Sequence, residues 1–343
     1  MNLHRTIENL ILVGSGKGRH PMPVRAEVPD VLLPLVEDSR DAQRKFNLRA
    51  AIEGGRYRSA FWCVYLLSVV ATAFAVTPLA LGGESESAEL LKRVCGFGEV
   101  IVIALVSLVY WLGHARDWQG QWLGNRTKAE LAWYLPLVAP LVDYAQAEPG
   151  KSWYASIFPS DEDFYEVDEL DAFCRNHFER YKTKLGNIWS KPAFVEAYAR
   201  WALFILDGQI YYHRNNHLRH HHLLHRVHLI NNVLFAATAI GAVSHLFFHA
   251  GWLSIMTAIF PALAAALHGA LAQSESYRLA SISRQLASEL GVDRKAIQNA
   301  LDAGLDEHRV EQIQRSIKTA LITILNEHKD WHMLVHPHRL NLG

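Results

Sequence analysis

Long apolar segments alternate with polar ones along this chain. Residues 59–83 and 229–272 carry no Asp, Glu, Lys or Arg, and residues 94–113 carry only Glu99. A helix of about 20 apolar residues crosses the hydrocarbon layer of a membrane. A turn at residues 249–251 divides the longest segment in two. The pattern therefore predicts four transmembrane helices arranged as two hairpins.

The segments between the apolar ones have the period of α-helices. Residues 36–58 form a helical pattern that becomes basic before the first span, and apolar residues recur at helical spacing from Tyr277 to Leu290. No convincing strand follows residue 20, so we expect an all-α polytopic membrane protein with a cytoplasmic helical region. We expect Gly291 and Gly304 to divide the C-terminal pattern into shorter helices.

This pattern divides the chain into an N-terminal segment and three larger regions. In each half of the chain the order is stalk helix, span, tight loop, span, stalk helix. The boundaries are 1–43 for the N-terminal segment or linker, 44–142 for the first transmembrane hairpin with its flanking helices, 143–208 for a cytoplasmic helical region, and 209–343 for the second hairpin with its flanking helices.

The distribution of charge adds an orientation. The chain has 34 basic and 34 acidic residues, so its net charge is zero, but the basic residues flank the spans on one side. The hairpin loops carry few of them, Lys92 and Arg93 being the exceptions. The positive-inside rule then places both termini and the central region in the cytoplasm. We expect a membrane location, with membrane lipid as a partner.

The stalk before the third span is rich in histidine and arginine. His213, His217, His221 and His225 recur every fourth residue, so they form one stripe on a helix. The hypothesis is an anionic-ligand site or gate, because arginine binds phosphate through two parallel hydrogen bonds. Its residues are Arg214, His217, Arg219, His221, His225 and Arg226. A polar interfacial helix without a ligand, and a structural zinc site between subunits, are the alternatives.

Polar side chains inside the second hairpin are candidates for lining a pore. They are Asn231, Asn232, Thr238, Ser244, His245 and His268. Polar groups are costly in lipid, so several in one hairpin indicate an interior surface. They can equally bond neighbouring helices. Because two hairpins cannot enclose a conduit alone, a pore requires a homo-oligomer, most simply a tetramer.

The helix after the second span has a mixed aromatic and charged face. Trp118, Trp122, Arg126 and Glu130 lie four residues apart and share this face. Interfacial tryptophans with a helix salt bridge, and packing between subunits, are compatible interpretations of it.

Two short motifs carry a family resemblance. The first motif starts at Trp201, before the second hairpin, and reads WALFILDGQIYYHRNN; with it goes a long last helix that has Glu327 four residues before Trp331. The second motif follows the first hairpin and reads HARDWQGQWLGNRTKAEL. Together they resemble the SLATT group of bacterial membrane domains, found beside nucleotide-signalling genes. The resemblance covers about residues 45–331.

This resemblance implies a non-enzymatic, pore-forming effector of antiphage defence, with no catalytic residue, metal or cofactor. It also implies a trigger, either a nucleotide or oligonucleotide ligand or a partner such as a nucleotidyltransferase or sensor. The residues before the first span are too few for a sensor domain. We therefore expect the trigger to act on the cytoplasmic helices.

Two other features offer different chemistry. The stretch from Gly14 to Gly18 could cradle phosphate, but its spacing is not that of a P-loop, so we interpret it as a flexible linker. Three histidine groups resemble the boxes of di-iron membrane desaturases and hydroxylases. They are His217 with 220–222, His245 with His249, and His328 with His332. The predicted topology separates the middle group from the others, which disfavours a shared metal centre.

The topology gives the first prediction. Reporter fusions after residues 88, 150, 250 and 343 should report extracellular positions at 88 and 250 and cytoplasmic ones at 150 and 343. The physical reason is the basic residues that flank the spans on one side. An extracellular signal at 150 or 343 would contradict it.

Overall fold

The computed structural model describes residues 3–13, 26–81, 83, 85–158, 167–248 and 250–335, with side chains in the last range described through Glu327 and at Lys329. Three of the features predicted above lie outside these residues: the glycine stretch at 14–18, His249, and the side chains of His328 and His332.

Every described element is helical. The α-helices are α1 (Leu3–Ile11), α2 (Leu33–Leu81), α3 (Glu86–Ala115), α4 (Trp118–Val138), α5 (Trp153–Ile157), α6 (Asp168–Leu185), α7 (Pro192–His245), α8 (Gly251–Gln273), α9 (Ser276–Asp302) and α10 (Glu307–Val335). Short 3-10 turns occur at Asp30–Leu32, Ala139–Leu141 and Ile188–Ser190. The predicted all-α fold is confirmed.

Four of the helical segments are long and apolar enough to span a membrane. They lie within Asp30–Leu81, Glu86–Ala115, Pro192–His245 and Gly251–Asp302. Their most apolar stretches are largely exposed in the isolated chain, as lipid-facing surface requires. Phe97 and Trp111 on α3 and Phe235 on α7 are examples. The protein is therefore a polytopic membrane protein with two hairpins, as predicted.

The two longest helices carry a stalk and a span without a break. α2 has 49 residues and α7 has 54, so the boundaries proposed at 43/44 and 208/209 fall inside continuous helices. No proline lies between stalk and span in either helix: Pro34 lies in the first turn of α2 and Pro78 in its last turn, and Pro192 begins α7. Each stalk is therefore rigidly connected to its span.

The two halves of the chain turn in the same way where the second span of each hairpin meets the returning stalk. Asp117 caps α4 with φ 43°, and Glu275 precedes α9 with φ 53°. These are the two described non-glycine residues with positive φ. The Asp117 carboxylate accepts a hydrogen bond from the Gly120 amide at 3.3 Å. This shared turn supports the internal repeat predicted from the sequence, with α2–α4 matching α7–α9.

Glycines allow the spans to pack closely. A Cβ at Gly98 of α3 would meet the Phe74 ring of α2 at 2.8 Å, and one at Gly269 of α8 would meet the Tyr65 ring of α2 at 2.5 Å. Gly241 of α7 faces Thr257 of α8. These contacts put the spans in the order α3, α2, α8, α7.

Two apolar cores hold the stalks together. The span-proximal core joins α2, α4, α7, α8 and α9 at the stalk ends of the spans; its buried residues are Ala50, Tyr57, Phe61, Trp62, Trp122, Leu123, Leu223, Leu224, Val227, Leu267, Ala270, Leu271 and Ala280. The larger distal core lies further from the spans and includes residues of α5, α6 and α10. There the Tyr154 and Tyr198 hydroxyls donate to the Leu131 and Leu137 carbonyls of α4.

One predicted helix break is wrong and one is confirmed. α9 continues through Gly291, where a Cβ would meet nothing within 4 Å, whereas the chain turns at Gly304 with φ +88°. A glycine inside a helix costs only about 1 kcal/mol, which the packing of α9 against α7 outweighs. Arg294 adds to that packing through two hydrogen bonds to the Asp207 carboxylate, of 2.6 and 3.2 Å.

The packing of Trp122 on Gly54 yields the second prediction. A Cβ at Gly54 would lie 2.5 Å from the indole nitrogen, so Gly54→Ala should destabilise the protein by about 1–3 kcal/mol through overpacking. Gly124→Ala on α4 is the matched control, because nothing lies within 4 Å of its Cβ. Thermal unfolding in detergent should show a lower Tm for the first variant only. Equal Tm values for the two variants would contradict this packing.

Candidate functional site

The predicted histidine stripe does not form one surface. His213 is buried, a ring nitrogen of His217 donates to the Ala280 carbonyl at 2.7 Å, and His221 and His225 are exposed. His220, outside the stripe, lies 3.3 Å from the Ser276 hydroxyl. The inner histidines therefore join α7 to α9.

The stripe's arginines also separate. Arg214 is exposed, Arg226 is half-buried, and Arg219 forms an ion pair of 2.7 Å with Glu8 of α1. Of the six predicted ligand residues, only Arg219 lines the cavity described next.

A cavity of about 570 Å³ lies between the two apolar cores; we call it the stalk chamber. Residues of α1, α2, α4, α7, α9 and α10 line it. Its volume is within the range of small-molecule sites in proteins. Trp122 and Tyr57 of the span-proximal core lie on one side, and Ile324 and Leu325 of the distal core on another. All four stalks therefore meet around one polar space directly below the spans.

Charged side chains of both signs line the chamber. The arginines are Arg5, Arg58, Arg126 and Arg219, and the carboxylates are Glu8, Glu130, Glu275 and Glu327. Glu8 pairs with Arg219, and Glu130 pairs with Arg126 one turn away. Burial raises the pKa of Glu130, while the Arg126 guanidinium opposes that shift.

Arg58, in the turn of α2 directly before the first span, differs from the other arginines. Its guanidinium carbon lies 5.0 Å from the centre of the Trp122 ring, a cation–π contact. Its Nε is buried and has no hydrogen-bond partner in the described part of the chain. Burial lowers the pKa of this guanidinium, which nonetheless stays charged at physiological pH.

Helix α1 lies against the chamber and completes it. The His4 ring is buried, with Nδ1 3.4 Å from the Ser59 hydroxyl, and Glu8 pairs with Arg219 of α7. α1 therefore connects the first long helix to the second. Sequence reasoning missed His4, Arg5 and Glu8, because a nine-residue helix far from the other lining residues carries no motif.

The face formed by Trp118, Trp122, Arg126 and Glu130 points into the same chain. Trp122 is buried, stacks on Tyr57 with ring centres 5.6 Å apart, and lines the chamber with Arg126 and Glu130. Trp118 packs against the span-proximal core. The predicted salt bridge within the helix is present, and the role of this face in packing between subunits stays a prediction.

The pore-lining candidates fall into three groups. His245 bonds Ser254 of the neighbouring span at 2.8 Å, and the Thr238 hydroxyl donates to the Leu234 carbonyl of its own helix. Asn231 has a buried side-chain oxygen without a partner in the described part of the chain, and Ser244 is half-buried. Asn232 and His268 are exposed on the surface of the second hairpin.

The histidine groups show no metal site among the side chains that the structure describes. Within that part of the chain, no cluster of three or more His, Cys, Asp or Glu side chains could hold an ion. His249, His328 and His332 fall outside it, so the di-iron alternative stays a hypothesis. Cys63, Cys95 and Cys174 are free thiols.

Comparisons with protein-family models, curated proteins and solved structures found no match. The fold and site define an all-α membrane protein with two hairpins and a polar chamber between its stalks.

Buried chamber histidines give the third prediction. Burial lowers the pKa of His4, His213 and His220 to about 4, with nearby arginines contributing at His4 and His220. Their unfolded value is about 6.5. Below that pH the unfolded chain binds more protons, so the stability of the protein should fall as the pH is lowered from 6.5 towards 4.

The variant His213→Phe separates this effect from general acid denaturation. This variant should remove up to about 3 kcal/mol of the loss in unfolding free energy between pH 6.5 and 4, because one unit of pKa shift corresponds to about 1.36 kcal/mol. Thermal unfolding at a series of pH values measures it, with exposed His225→Phe as the control. The same pH dependence in both variants would contradict the assignment.

Proposed function

We propose that the protein is a membrane effector that conducts ions as a homo-oligomer, gated through its cytoplasmic stalks by a nucleotide, an oligonucleotide or a partner protein. The polar side chains that the second hairpin exposes are the observation that carries this proposal. Asn232 and His268 are accessible on the surface of the isolated chain.

These two residues lie at a similar level, towards the stalk end of the second hairpin. Asn232 lies 13 residues before the end of α7, or roughly 20 Å along the axis at 1.5 Å per residue. His268 lies 17 residues after the start of α8, roughly 25 Å along it. Within the apolar segment 229–272, Asn232 lies three residues after the start and His268 four residues before the end. Polar side chains that face lipid there still cost free energy. Several copies arranged with these faces towards a common axis would give them a polar path instead.

The arrangement of the spans supports an oligomer. Their order leaves α3 and α7 on the outside, and α3 exposes a purely apolar row that includes Phe97, Ile101 and Leu108. Such a surface suits lipid. The second hairpin, with its mixed surface, is the better candidate for contacts between copies.

The stalks offer a route for control. The span-proximal core lies between the stalk chamber and the spans. Because α2 and α7 are continuous, a rotation of either stalk would move its span with it. The resemblance to the SLATT group supports the same function, which would place the protein in antiphage defence at the bacterial inner membrane.

Ion flux from reconstituted liposomes provides the fourth prediction. Wild-type protein should conduct small ions, either alone or with a mixture of ribonucleotide mono-, di- and triphosphates. Asn232→Leu combined with His268→Leu should lower this flux strongly, since it makes the path apolar. The control pair is Phe97→Leu with Ile101→Leu on the exposed face of α3, which should leave the flux unchanged.

Metal analysis of the same preparation tests the alternative. If the protein conducts nothing in either condition and carries stoichiometric iron, the di-iron enzyme replaces the channel proposal. Equal flux in the two double variants would remove the second hairpin from the path.

A further inference from the structure

Arg58 has a charge that the described protein does not neutralise. Its Nε is buried without a partner, and no ion pair joins its guanidinium to a carboxylate in the described part of the chain. Glu8 is the one carboxylate whose charge favours the charged form of Arg58, and Glu8 is already paired with Arg219. Arg58 is partly buried and its one described cation–π partner is the Trp122 ring. A partly buried guanidinium without a carboxylate partner is costly, which makes it a candidate for binding an anion.

Other arginines lie close to Arg58. The charges of Arg5 and Arg126 both disfavour its protonated form, and Arg58, Arg5 and Arg219 together lower the pKa of His4. Arg126 has its own carboxylate partner in Glu130. The positive charges therefore concentrate where α1 meets α2 and α7, with Arg126 of α4 beside them, although the whole lining carries four arginines and four glutamates.

The chamber is larger than an inorganic anion needs. Its volume of about 570 Å³ leaves room for an organic group beside the anion. Tyr212 contributes to the lining with about half of its side chain accessible, and Tyr134 and the Tyr57–Trp122 pair provide more aromatic surface. Aromatic walls next to a convergent cationic end suit a molecule with an apolar or planar body and a charged terminus.

We propose that the stalk chamber binds a phosphorylated organic molecule, with its phosphate held by Arg58 and its neighbours. Phosphate is favoured because it carries up to two charges and accepts the paired hydrogen bonds of a guanidinium fork. The phosphate has two sources, a soluble metabolite or the headgroup of an anionic lipid, since Arg58 directly precedes a span. The link to gating rests on the proposed function, but binding itself can be measured on protein that conducts nothing.

The experiment compares ligands on the full-length protein in detergent. Adenosine 5′-monophosphate and inorganic phosphate should raise its Tm at millimolar concentration, whereas adenosine should not. For the lipid source, protein in phosphatidylcholine nanodiscs should gain stability when phosphatidic acid is added, but not when phosphatidylserine, which carries a phosphodiester, is added. A soluble ligand predicts the first response and a lipid ligand the second.

Variants of Arg58 connect any response to the chamber. Arg58→Gln should weaken binding by at least about tenfold, the loss expected for a charge-assisted hydrogen bond of 1.5–3 kcal/mol. The control is Arg56→Gln, two residues away on the exposed side of α2, where Arg56 pairs with Glu53 at 2.7 Å. If Arg58→Gln does not fold, Arg58→Lys keeps the charge but loses the fork, and should bind phosphate more weakly than wild type.

The outcomes separate this inference from the channel. No response to any phosphate probe, or a response that Arg58→Gln and Arg58→Lys leave unchanged, would overturn the phosphate site. A response lost in these variants, in protein that conducts no ions in liposomes, would support the site and reject the channel.

Discussion

The rest of this structure depends on the requirement that every backbone hydrogen bond in lipid be satisfied within a helix. In α2 and α7 the helical hydrogen bonding continues without interruption from stalk to span. As a consequence, the stalk parts of α2 and α7 cannot move independently of their spans. The close approach of α8 to α2 at Gly269 couples the two hairpins as well.

The stalk chamber follows from how this coupled framework is packed. Apolar residues form one core at the stalk ends of the spans and a second core further away, and charged side chains from five helices and from the turn before α9 line the space between them. Most of these charges are compensated locally, as in the Glu8–Arg219 pair. Arg58 differs in having a buried Nε without a hydrogen-bond partner in the described part of the chain, which makes it the most informative residue of the site.

The candidate site could be predicted only in part. Helical spacing placed Trp122, Arg126 and Glu130 on one face, and all three line the chamber. The same spacing failed for the histidine stripe, because α9 covers one side of α7 and separates buried His213 from exposed His221 and His225. Equal spacing puts residues on one face of a helix, but the neighbouring helices decide how much of that face is covered.

The sequence by itself determined the all-α fold, the four spans, the two hairpins and the internal repeat, because these depend on local hydropathy and on the α-helical period. Only the tertiary structure decided where the charged groups converge. His4, Arg58, Arg126, Tyr212 and Glu327 come from five different helices and meet in one cavity. Their proximity comes from the packing of rigid helices over long sequence separations, and no local pattern of the chain records it.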